Sequence, residues 1–180
     1  SGDWSSDVCS SDLTGGLASG KWNQGVAIWH NATVTSATGD VSVNGTGGGI
    51  DASPGNYGVK ISTNTIVGTT STGNVSIIGQ GGASDGNSNN GVAVEGTGGR
   101  VETSAGNISI QGTGGGGIGK WNRGVGIWNG ATVTSATGDV SVNGTGGGIG
   151  LSFQNHGVHI STNISTNTVV KTTSTGNVSI

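Results

Sequence analysis

The sequence predicts an all-β fold, a right-handed parallel β-helix (β-solenoid) with about one coil per 33-residue repeat, and three observations predict it. A segment of the form Asn-x-Gly-Val opens at Asn23 and is written again at Asn56, Asn89, Asn122 and Asn155, always 33 residues on. The apolar residues are mostly Val and Ile in short alternating runs, the pattern of strands and not of helices. Glycine supplies 40 of the 180 residues and Ser, Thr and Asn fill much of the remainder, too little apolar volume for a broad globular core. A period held through five copies is the signature of stacked repeats, in which each unit buries its apolar side chains against its neighbours.

Each element follows from one repeat. Repeats start at Gly25, Gly58, Gly91, Gly124 and Gly157. In the first, alternation sends Val26 and Ile28 to one side of a strand and Ala27 and Trp29 to the other. Val34, between Thr33 and Thr35, marks a second strand, and Val41 with Val43 a third. Between them Gly39-Asp40 is turn chemistry, repeated as Gly73-Asn74, Gly106-Asn107, Gly138-Asp139 and Gly176-Asn177. The Gly-rich run Gly45 to Gly49 returns at Gly144 to Gly148 and loosely at Gly112 to Gly117. It reads as a surface connection that absorbs the one-residue slips of the turns while the Gly-Val strand keeps its place. Val26, Ile28, Val34, Val41 and Val43 and their counterparts form the expected core. Gly20 to Gly49 is nearly rewritten at Gly119 to Gly148, as recent tandem duplication would leave it.

Ankyrin repeats share the period, but no ten-residue stretch here is free of Gly and β-branched residues, so helices are excluded. Three strands per coil, each paired with its counterpart in the next repeat, satisfy the pattern, with the right-handed sense of parallel crossovers. The competing arrangement is about one and a half smaller coils per repeat. Five coils at ~4.8 Å each make a rod core roughly 20 to 25 Å long.

Residues 1–13, SGDWSSDVCSSDL, share nothing with the repeat and resemble the in-frame translation of a sequencing-adapter oligonucleotide. They are expected to be disordered and apart from the fold, leaving residues 14–180 as a single solenoid. Their removal takes away Cys9, the sole cysteine, and three aspartates, so the net charge of −3 becomes a balance of acids and bases. A neutral chain offers no grip on nucleic acid. No run is long and apolar enough for a membrane span.

The runs Gly-Asn-Val-Ser-Ile (Gly73 to Ile77 and Gly176 to Ile180), Gly-Asn-Ile-Ser-Ile (Gly106 to Ile110) and Gly-Thr-Gly-Gly-Gly resemble the repeat regions of filamentous-haemagglutinin and autotransporter-passenger proteins. The resemblance covers Gly15 to Ile180. It implies a stalk segment of a large secreted or cell-surface bacterial adhesin-like protein, with host or environmental glycans or proteins as partners. On that resemblance, a signal for export is expected outside this segment.

A carbohydrate-active or carbohydrate-binding β-helix is the rival reading. Catalysis would need converging carboxylates. Asp40 and Asp139 alternate with Asn in other repeats, and Asp51, Asp85, Glu95 and Glu102 occupy unrelated positions, so no enzyme is expected. His30, His156 and His159 lack metal spacing, and the Gly runs end in Ile50, Ile118 or Ile149 without the phased Asp of calcium repeats, so no metal or cofactor is expected. Thr33-Val34-Thr35 and Thr132-Val133-Thr134 do not extend into an unbroken ice-binding plane. Two sets of residues remain. Trp22, Trp29, Trp121 and Trp128 are candidate surface-binding residues, Trp29 and Trp128 pointing outward. Asn23, Asn56, Asn89, Asn122 and Asn155 are expected to stack as a partly buried hydrogen-bonded ladder, against the alternative of five separate Asx-type turns. An open terminal coil would leave a strand edge free for end-to-end association.

Overall fold

The computed structural model describes residues 12–163 and 165–180. Among them there are only strands and turns, and every strand pairing is parallel. After β1 (Asp12–Thr14), the first coil contributes β2 (Val26–Ile28), β3 (Thr33–Ser36) and β4 (Val41–Thr46). The second contributes β5 (Val59–Ile61), β6 (Ile66–Thr69) and β7 (Val75–Gln80), and the third β8 (Val92–Glu95), β9 (Arg100–Thr103) and β10 (Ile108–Thr113). β11 (Val125–Trp128), β12 (Thr132–Ser135) and β13 (Val140–Thr145) form the fourth coil, and β14 (Val158–Ser161), β15 (Val169–Thr172) and β16 (Val178–Ser179) the fifth.

Corresponding strands stack into three sheets: β2-β5-β8-β11-β14, β3-β6-β9-β12-β15 and β1-β4-β7-β10-β13-β16. The chain is a β-solenoid of about five turns, one turn per repeat. In the Gly-Val sheet Val26 pairs with Val59, Val59 with Val92, Val92 with Val125 and Val125 with Val158, which removes the one-and-a-half-coil alternative.

The core is the expected one, graded by position along the rod. Val59, Ile61, Val67, Val92, Val94, Val101, Val125, Ile127 and Val133 are fully buried, because each has a coil on both sides. Their first-coil counterpart Val34 is 38% exposed and the fifth-coil Ile160 39%, as expected for strands covered on one side only.

Two expectations need correction. The Gly-rich run is not a surface connection over its whole length. Gly45 lies within β4, in register with Gly79, Gly112 and Gly144, and Gly47 and Gly48 just after the strand are buried too. A Cβ on Gly47 would overlap the carbonyl of Asn56, and one on Gly81 or Gly114 the carbonyls of Asn89 or Asn122. Backbone meets backbone at this corner, so only Gly fits. The slips are taken up elsewhere. The second coil has an extra residue in its β6–β7 turn and the third in its β8–β9 turn, and each is offset by one residue fewer in the loop before the next Asn. The longer loops of the first and fourth coils place Gly49 and Gly148 at positive φ (88° and 84°), a conformation Gly adopts at little cost.

The second correction concerns the N-terminal segment. Residues 1–11 lie outside the described residues, but Asp12 and Leu13 pair with Asn44 and Gly45 in β1, so residues 12 and 13 are part of the sheet. A further departure is a four-residue lengthening of the fifth coil, where Ser161-Thr162-Asn163 is followed by Ser165-Thr166-Asn167. It leaves the sheets as an excursion closed by an antiparallel bridge between Asn163 and Thr166.

Candidate functional site

The five repeated asparagines sit at the neck of the loop that leaves the rod after the Gly-rich run and returns before the Gly-Val strand. Asn56, Asn89 and Asn122 are fully buried. The backbone N–H of Asn23 donates to Oδ1 of Asn56 at 2.9 Å, Asn56 to Asn89 at 3.0 Å, Asn89 to Asn122 at 2.9 Å and Asn122 to Asn155 at 2.8 Å. Each side-chain Nδ2 then turns back into its own loop, three residues upstream. Asn23 donates to the carbonyl of Gly20, Asn56 to Ser53, Asn89 to Gly86 and Asn122 to Gly119, while Asn155 donates to Oγ of Ser152.

The backbone carbonyl is used as well. Gly48, Gly82, Gly115 and Gly147 donate across the neck to Asn23, Asn56, Asn89 and Asn122. The arrangement is therefore a column and a set of turns at once. Oδ1 links coils, Nδ2 closes each loop, and one side chain needs both an acceptor and donors, which Asn has and Asp lacks.

A second column, which the sequence shows only as turn residues, runs through Asp40, Asn74, Asn107, Asp139 and Asn177. Here the bonds point the other way: the N–H of Asn74 donates to Asp40 Oδ1 at 2.7 Å, Asn107 to Asn74 at 2.9 Å, Asp139 to Asn107 at 2.8 Å and Asn177 to Asp139 at 2.7 Å. The accepting oxygen is the only atom that every member must supply, so Asp and Asn interchange. Inside the same corner, the hydroxyls of Ser36, Thr69, Thr103, Ser135 and Thr172 each bond to the Gly of the turn. Their regular place, three or four residues before that Gly, was the available signal.

The candidate tryptophans divide. Trp22 and Trp121 lie on the protruding loops at positive φ (61° each), and their backbone N–H groups donate to the carbonyls of Pro54 and Phe153 of the next coil. Trp22 packs on Gly55, and the Lys120 ammonium lies 4.4 Å from the Trp121 ring. Trp29 and Trp128 are on the outer side of the Gly-Val sheet. Trp29 is 55% exposed, whereas Trp128 folds down over Gly126, whose missing Cβ makes room for the ring.

That outer face brings together ionisable side chains from several coils. Lys60 bonds Glu95 at 2.9 Å and lies 5.1 Å from the ring of Tyr57, while Arg123 lies 5.5 Å from the ring of Trp128. His156 and His159 stack with centroids 5.3 Å apart. These groups roof the sheet, since Ala93 and Asn90 are fully buried although Ala93 points away from the core. Burial, reinforced by Glu95, pushes the Tyr57 phenol up to about 12. Burial holds Arg123 below the usual guanidinium value, and burial with the charge of Arg123 and then His156 holds His159 below the usual imidazole value.

Four of the carboxylates have separate partners. Asp40 and Asp139 belong to the second column, Glu95 is paired with Lys60, and Glu102 pairs loosely with Arg100 at 3.6 Å on the surface. Among the described residues no three His, Cys, Asp or Glu side chains come together as a metal site would require.

In the comparisons with known proteins, no family model, no curated protein and no solved structure matches this chain.

Proposed function

We propose that the chain is a structural and adhesive rod segment, a non-catalytic stalk within a large secreted or surface-displayed bacterial protein of the adhesin kind. The observation that supports this reading is the continuity of the asparagine column from Asn23 to Asn155, which makes every coil mechanically equivalent to the next. A catalytic β-helix interrupts its repetition with a cluster of carboxylates, whereas here Asp40 and Asp139 lie in the second column and Glu95 and Glu102 in ion pairs. The resemblance of the Gly-Asn-Val-Ser-Ile runs to surface-protein repeats agrees with a displayed rod.

The experiment duplicates the three-coil block from Gly20 to Ile118 and measures the particle by small-angle scattering, with a panel of polysaccharides assayed for chain cleavage. A rod segment lengthens by ~14 Å, three coils at ~4.8 Å, and cleaves nothing. An unchanged maximum dimension, or release of new chain ends, overturns the reading.

A further inference from the structure

Exposed apolar side chains gather on one edge of the rod. Before each repeated asparagine the chain leaves the rod as a loop, at residues 16–22, 49–55, 82–88, 115–121 and 148–154. Backbone bonds tie each loop to the next: the N–H of Ile50 donates to the carbonyl of Ala18, Asp85 to Asp51, Ser88 to Lys120 and Ile149 to Gly117. The first loop presents Leu17 and Trp22, the second Ile50 and the fourth Ile118. The fifth presents Ile149, Leu151 and Phe153, and Leu151 is 98% exposed. The third, Gly82 to Ser88, has no large apolar side chain.

These side chains together expose roughly 800 Å², the share that one partner gives to a standard interface and more than the few hundred Å² ordinary for a patch on a monomer. Their order selects the partner. Read from either end, two apolar loops are followed by the polar one and then by two more apolar loops. A second rod laid antiparallel sets the first loop on the fifth, the second on the fourth and the third on its own copy, so the edge complements itself as a two-fold contact requires. The charges agree with this pairing. Asp51 stands on the second loop and Lys120 on the fourth, and among the described residues neither has an ion-pair partner in its own rod. Antiparallel pairing brings Asp51 of one rod to Lys120 of the other, twice over. Asp85, on the third loop, is exposed to screening by water, and its Oδ1 already accepts from the N–H of Ile118 at 3.2 Å. Lys21, also exposed, keeps its ammonium in water at the end of the edge.

We propose that the loop edge of the rod pairs with the same edge of a second copy, side by side and antiparallel, closing as a dimer about a two-fold axis through the third loop. This goes beyond the rod reading and stands apart from it, since a rod that stays single still lengthens with its coils.

Sedimentation velocity of the full chain over a concentration series is expected to show monomer and dimer alone, with a dissociation constant on the order of micromolar. Leu151→Ser and Leu17→Ser each weaken the dimer roughly tenfold, the scale of a large apolar side chain withdrawn from an interface. Ile78→Ser, exposed on β7 and away from the loops, leaves it unchanged. Asp51→Lys weakens it roughly threefold or more, Lys120→Asp does the same, and the two together restore it. Thermal melting confirms that each variant keeps the rod. A chain that stays monomeric, a dimer indifferent to both Leu variants, or species growing past the dimer, as open coils joined end to end would give, overturns the proposal. Failure of the reversed pair to restore the dimer overturns the antiparallel arrangement. Phosphatidylcholine vesicles form the last arm: a monomer that partitions onto them, and no longer does so with Leu151→Ser, gives the edge to a lipid surface and overturns the dimer.

Discussion

The backbone N–H of Asn56 donates to the side-chain Oδ1 of Asn89 at 3.0 Å, from one coil to the residue 33 positions later. The same Asn89 side chain returns its Nδ2 to the carbonyl of Gly86 at 2.9 Å and to Ser84. One residue thus fixes both the stacking of the coils and the neck of a loop, and the interchange of Asn and Asp should be forbidden here and free in the second column.

Asn89→Asp removes the donors while leaving an acceptor, and it places a negative charge against the carbonyls of Ser84 and Gly86. It is expected to cost roughly 1 to 3 kcal/mol at neutral pH. Asp139→Asn keeps the acceptor that Asn177 uses and should stay within about 0.5 kcal/mol of the parent. Equal effects in denaturant unfolding would contradict the division of labour between the two columns.

Glycine at the neck is a packing requirement. Gly114→Ala drives a Cβ into the carbonyl of Asn122, and overpacking of this kind is expected to cost roughly 1 to 3 kcal/mol or more. Gly116→Ala, two residues on, meets open space at an ordinary φ and should be neutral or slightly stabilising. In the core, Ile127→Ala should cost roughly 2 to 4 kcal/mol because coils on both sides hold the cavity open. The comparison is made by equilibrium unfolding of the three variants.

Tyr57 is the only tyrosine, so its ionisation can be followed by the ultraviolet absorbance of the phenolate. In the folded chain the phenol should titrate at about 12 and, once unfolded, near its ordinary 10. The folded state binds the proton more tightly, so the stability linked to Tyr57 is full below pH 10 and declines as pH rises from 10 to 12. An ordinary titration in the folded protein would mean that the roof over the Gly-Val sheet is open.

His159 gives the complementary test at low pH. Its folded value is below that of a free imidazole, so its contribution to stability is present above the unfolded value and is lost as pH falls through the folded one. Arg123→Gln removes one of the lowering charges and should move the His159 resonance midpoint upward in a magnetic-resonance titration. No movement would place the guanidinium away from the imidazole.

Much of the fold was legible because each coil writes the same instruction. Val26, Val59, Val92, Val125 and Val158 stand at one spacing, and strands paired in parallel at one register follow from that alone. The asparagine column was legible for the same reason. What was not legible depended on the third dimension within a coil. Gly47, Gly81 and Gly114 look like loop residues until the return of the chain at Asn56, Asn89 and Asn122 brings a carbonyl against them. Asp40 and Asn74 look like separate turn residues until stacking turns each one's oxygen toward the next backbone N–H. The roof of Tyr57, Lys60, Glu95, Arg123 and Trp128 could not be read at all, since its members differ from coil to coil and meet only because neighbouring coils stack.

The stacking of one repeat per coil is tested most directly by backbone nuclear Overhauser effects in the Gly-Val sheet. The account predicts contacts from Val59 to residues around Val92, and from Val92 to residues around Val125, in parallel register. Contacts from Val92 to residues at another spacing, or antiparallel contacts within one repeat, would contradict it.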